Sequence, residues 1–154
     1  MSRMFNGASA FNNGGWPLEW GDTSKVTDMS SMFFNAVAFN QDISLWDTGS
    51  VTTMANMLNG ASAFNNGGQP LAWFDTRKVT TMASMFQGAA AFNQDISSWN
   101  AAPTTCGANF ASGANFASGA TAWLAAYPPG TGGSIAAIPP NGPLNAAMAA
   151  RCGP

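Results

Sequence analysis

The chain has 154 residues, 46% hydrophobic and only 8% charged, with five bases, seven acids, no histidine and a formal net charge of −2. The length suits one domain with a real core, yet the charged fraction is about a third of the roughly 25% usual in globular domains. Without clustered Lys and Arg there is no electrostatic footprint for nucleic acid. Apolar runs broken every few residues by Asn, Ser, Gly or Pro fall short of the ~20 residues a membrane-crossing helix needs.

In chain order, the opening "MSRMFNGASAF" has no basic region leading into an apolar stretch, so it does not read as a signal peptide. It reads as a repeat entered midway. Residues 1–46 align without a gap on 54–99, placing Met1 on Met54, Phe11 on Phe64, Trp20 on Trp73, Val26 on Val79 and Trp46 on Trp99. Each block holds two similar units, and the long ones carry "FNNGG" with Pro-Leu after it where the short ones carry "FNQDIS". A fixed period of this size predicts a solenoid. A first unit that opens in mid-repeat predicts a fragment, or residues upstream, because an uncapped end exposes core.

Within a unit, Val26, Met29, Met32, Phe33 and Ala36 have the spacing of one helical face. That predicts a short helix with Thr27 or Asp28 as N-cap and a stop at Asn35, or at Gly60 in the next unit. Phe39 to Ile43 predicts a short parallel strand, and Trp46 with Asp47-Thr48 a closing turn. Residues 1–99 are then the solenoid of about four units, 100–126 a degenerate repeat or cap containing "NFASGANFASGA", and 127–154 an extended Pro/Gly/Ala-rich tail. The fold class expected is an α/β repeat solenoid.

The pattern W-D-T-x-x-V-T-x-M-x-x-M-F-x-x-A-x-A-F-N-Q-D-I-x-x-W resembles the 26-residue repeat of bacterial surface proteins. That family is leucine-rich-repeat-like and is also found in mycoplasma lipoproteins and in algal proteins. The resemblance covers residues 1 to about 99, and more loosely the tail "TAWLAAY" with its final Cys. It implies leucine-rich-repeat-like coils and a secreted or surface-displayed interaction module without catalysis.

Asn12, Asn40, Asn65 and Asn93 follow the repeat Phe in every unit. They read as an asparagine ladder that satisfies backbone groups of adjacent coils, with a ligand role as the alternative. Asp42 and Asp95, with Asp22, Asp47 and Asp75, form two sparse acidic rows. Calcium wants six to eight oxygen ligands, and the interrupted rows fit turns and caps better. Asp47-Thr48-Gly49 spells the aspartic-protease triplet, but its repeat mates Asp22-Thr23-Ser24 and Asp75-Thr76-Arg77 make it repeat grammar, and nothing pairs two carboxylates. The methionine pairs 29/32, 54/57 and 82/85 read as core rather than soft-metal ligands. The Trp column 20, 46, 73 and 99 reads as a stacked core edge rather than a sugar platform. Trp16 and Phe74 break the register and are the candidates for partner contact. Two threonine columns, 23/48/76 and 27/52/80, form too small an array for ice binding.

Cys106 and Cys152 are the only cysteines. In an oxidising compartment they would close a loop of about 46 residues, adding about 3–4 kcal/mol in the chain-entropy model. In a reducing one, Cys106 would take a core Met position. With no histidine and no phosphate-binding glycine loop, no enzyme and no metal or cofactor is expected. The function expected is a non-catalytic structural or protein-interaction module, extracellular or at the cell surface, with a protein partner of unknown identity. The alternative is a linker or scaffold subunit of a large assembly, since a tail with Arg151 as its one charge invites association.

Overall fold

Met29, Met32, Phe33 and Ala36 are all fully buried in the computed structural model, which describes residues 1–73, 75–94, 99 and 121. Their segment is nevertheless not a helix. Met32 N–H donates to the Met29 carbonyl, Phe34 to Ser31 and Ala36 to Phe33, so the chain closes four-residue turns in succession. Ser31 and Asn35 take left-handed φ values of 53° and 55°. The same pair of left-handed corners recurs at Arg3 and Gly7, at Asn56 and Gly60, and at Ser84 and Gly88. The expected helix over 26–36 is therefore corrected to a run of linked turns. The error has a simple origin: turn corners that alternate inward reproduce the i, i+3, i+4, i+7 spacing of a helical face.

A left-handed L-residue costs roughly 1–2 kcal/mol, and bonds to the neighbouring unit offset it. Taking the units as 1–27, 28–52, 53–80 and 81 onward, each unit gives backbone N–H groups to carbonyls of the next. Met29, Ser31, Phe33 and Asn35 donate to Thr53, Ala55, Met57 and Asn59 at 3.1, 2.9, 2.8 and 2.7 Å. Arg3, Phe5 and Gly7 do the same to Ser30, Met32 and Phe34, and Met54, Asn56, Leu58 and Gly60 to Thr81, Ala83, Met85 and Gln87. Because those N–H groups face sideways, none is left to bond four residues back along its own segment.

The expected strand over Phe39 to Ile43 is also displaced. Parallel backbone bridges join Asp28 to Thr53 and Thr53 to Thr81 instead. Among the described residues of 1–94 the helical elements are two single 3-10 turns, Asn13–Gly15 and Asn66–Gly68, both in the long units.

The core runs along the repeat. Phe11, Phe39, Phe64 and Phe92 stack face to face with ring centroids 5.9, 5.7 and 6.2 Å apart. Within single units, Phe5 lies on Phe11 at 4.0 Å, Phe33 on Phe39 at 3.8 Å and Phe86 on Phe92 at 3.9 Å. Leu58 takes the place of that second ring in the third unit and is fully buried. Each such side chain contributes about 1.5–3 kcal/mol on burial, and offset ring pairs add to that.

Candidate functional site

The long-unit loop begins with two asparagines and two glycines, and its geometry follows from them. Gly67 sits at φ +60°, a left-handed conformation that favours glycine. Asn66 is fully buried. Its side-chain carbonyl accepts the Ile43 N–H at 2.9 Å, and its amide donates to the Gln69 carbonyl at 2.9 Å. One side chain thus closes its own loop and fastens it to the preceding unit. In the first long unit Asn13 closes the loop in the same way, donating to the Trp16 and Pro17 carbonyls at 3.0 Å each.

That loop presents Trp16, which is 75% exposed, where the second long unit has Gln69. Beside it lies an open cleft of about 510 Å³, walled by 17–21 on one side and by Asp42, Leu45 and Trp46 on the other. Leu45 is 87% exposed. Leu45 and the half-buried Trp20 put apolar surface in the same cleft as Glu19 and Asp42. An arrangement of this kind suits contact with another macromolecule. Sequence reasoning singled out Trp16 but missed Leu45, whose only signal is a Leu where the later short unit has Ser98.

The four repeat asparagines are joined head to tail. The Asn12 side-chain carbonyl accepts the Asn40 N–H at 3.1 Å, Asn40 accepts from Asn65 at 2.7 Å, and Asn65 accepts from Asn93 at 2.9 Å. Asn40 also accepts the Gly67 N–H, while Asn12 and Asn65 accept from the side-chain amides of Gln41 and Gln94. The indole N–H groups repeat the theme. Trp46 donates to the Leu18 carbonyl, Trp73 to Ile43 and Trp99 to Leu71, at 2.9–3.0 Å.

The carboxylates act locally. Asp22 accepts from the backbone of Ser24, Asp42 from Ser44, Asp47 from Gly49 and Asp75 from Arg77. Arg77 grips Asp75 with both Nε and Nη2, at 3.0 and 2.8 Å. Those side-chain bonds, followed by the Arg77 backbone N–H, hold the Asp75 carboxyl down at about 2. Hydrogen bonds from Ser24 lower Asp22, the hydroxyl contributing most. Thr23 and Thr48 donate to the carbonyls of Asp47 and Asp75 in the following unit. Thr76 is buried with its hydroxyl unpaired among the described residues. Among the described residues no three His, Cys, Asp or Glu side chains gather in a metal-holding group. Phe74, Asp95, Cys106 and Cys152, and with them the expected disulfide, lie outside the described residues, as do the 100–126 and 127–154 segments, Thr121 apart.

Among known proteins, a family model described as "Mycoplasma protein of unknown function, DUF285" matches residues 1–123. No curated protein matches the chain, and no solved structure does.

Proposed function

The chain belongs to this repeat family, and from that premise we propose that it is a non-catalytic solenoid module that binds another protein through its Trp16 edge. The coils are leucine-rich-repeat-like in stacking, though built of turns. The observation that carries the reading is how the polar groups of the repeat are spent. Backbone N–H groups, asparagine and glutamine amides and indole N–H groups bond from one unit to the next, while Trp16 and Leu45 are the most exposed of the large apolar groups, Leu45 bordering the cleft that follows the Trp16 loop in sequence. The module belongs to a secreted or surface-displayed protein in this reading, as repeats of the kind it resembles do. A place inside a larger assembly is the second reading, favoured by a sequence that is only 8% charged.

A photo-reactive phenylalanine analogue placed at Trp16, with Ser62 as the control position, tests the edge in native material. One discrete protein adduct from position 16 and none from 62 is the expected result. Adducts from both positions, or from neither, remove the support for a partner at this edge.

A further inference from the structure

Leu45 is the most exposed large apolar group among the described residues although its unit has another unit on each side, so its exposure is a property of the stacked coils. The cleft it borders, of about 510 Å³, also takes in the carboxylates of Glu19 and Asp42, and no base among the described residues lines it. Asp42 uses one oxygen for the fold: Oδ1 accepts from the Ser44 N–H, the Ser44 hydroxyl and the Asn66 amide. Among the described residues its Oδ2 and the Glu19 carboxylate accept no hydrogen bond, and the ion pair found there is Arg77 on Asp75, away from the cleft. The second copy of the repeat keeps Pro70, Asp95 and Trp99 where the first has Pro17, Asp42 and Trp46. It changes the other lining positions: Glu19 corresponds to Ala72, Gly21 to Phe74 and Leu45 to Ser98.

We propose that this cleft is the docking site for a basic segment of the partner protein: the head group of one lysine or arginine lies between the Glu19 carboxylate and Oδ2 of Asp42, and its alkyl stem lies on Leu45. The inference rests on the protein-binding reading above and deepens it by naming the chemistry of the partner. Charge selects the occupant. Two carboxylates without a base repel an acidic segment or a phosphate backbone and attract a cation. The mixed lining suits a side chain that carries its charge at the end of an alkyl stem. A bare calcium ion fits less well, because two carboxylates fall short of the six to eight oxygens it takes. The changed positions make the cleft selective. Alanine and serine, as the second copy of the repeat has them in sequence, would supply neither the second carboxylate nor the apolar contact.

The test titrates the full chain with the peptide acetyl-Leu-Arg-Leu-amide and follows the Leu45 amide and Trp46 indole resonances. A saturable shift of both is expected. Binding should be about threefold weaker for Glu19→Gln and for Asp42→Asn, each the loss of one exposed charge pair, and weaker for all three chains in added salt. Asp42→Asn keeps an oxygen for the Ser44 bonds and Glu19 makes none, so both variants should fold. No shift at millimolar peptide, equal binding of the peptide with citrulline in place of arginine, or equal binding by both variants overturns the inference. A shift of the same resonances by the neutral disaccharide cellobiose, with none from the peptide, overturns it too and makes the cleft a sugar site. The photo-adduct at position 16 separates the two levels. If that adduct forms and the peptide does not bind, only the basic-segment inference fails; if the peptide binds and no adduct forms, the cleft stands and the Trp16 edge fails.

Discussion

The Trp73 indole donates to the Ile43 backbone carbonyl at 2.9 Å across thirty residues of sequence, with both residues buried. The bond ties the ring of one unit to the backbone of the unit before it, and it is repeated by Trp46 on Leu18 and by Trp99 on Leu71. Trp73→Phe keeps the ring stack on Trp99 but strands a buried carbonyl, so a loss of about 1–3 kcal/mol is expected. Denaturant unfolding should show a lower midpoint at unchanged slope, and Trp20→Phe, lacking such a partner, should move it far less.

Asn13 and Asn66 occupy the same repeat position but different surroundings. Asn66→Ala removes bonds to Ile43, Gln69 and Pro70 from a fully buried site, and should cost about 2–4 kcal/mol by leaving several groups unpaired. Asn13→Ala removes exposed bonds within its own loop and should cost under about 1.5 kcal/mol. Parallel melting of the two variants checks the order; equal losses would mean that the buried link to Ile43 contributes nothing.

Gly67→Ala and Gly14→Ala test the cost of the left-handed conformation itself. Both sit at φ +60°; the new methyl at 67 lies 3.5–3.6 Å from Asp42 and Asn40 backbone atoms and at 14 it lies 3.7 Å from the Trp16 ring, all ordinary contacts. Each substitution should cost about 1–2 kcal/mol for the left-handed conformation. Similar losses at the two positions are expected in unfolding measurements, because the new methyl meets only ordinary van der Waals contacts at both; a clear excess at 67 would mean that its loop cannot relax.

Asp75 titrates below its normal range, at about 2, through the side-chain and then the backbone bonds of Arg77. A carboxylate with a depressed folded-state pKa stabilises the fold above the unfolded value near 3.8, and that contribution disappears as pH falls from about 3.8 to about 2. The pair is solvent-accessible, with Arg77 two-thirds exposed, so water screens it and its contribution to stability is small. Arg77→Ala should move the Asp75 carboxyl carbon titration upward toward the ordinary range, and added salt should narrow the difference between the two proteins.

What the sequence by itself determined is the register. The gapless alignment of 1–46 with 54–99 places Met54 with Met1, Phe64 with Phe11 and Trp73 with Trp20, and it names Met29, Met32, Phe33 and Phe39 as side chains that must face inward. Spacing carries that much because burial selects apolar residues whatever the backbone does. The backbone itself was decided only in three dimensions. Met29 to Ala36 has helical spacing yet forms turns, because N–H groups at Met29, Ser31, Phe33 and Asn35 find acceptors in the next unit, and no local pattern records an acceptor 24 residues away. The same holds at the loop. Asn66 and Asn13 share the local sequence Phe-Asn-Asn-Gly-Gly, and it is the presence of Ile43 against Asn66 that makes it a buried clamp while Asn13 is exposed.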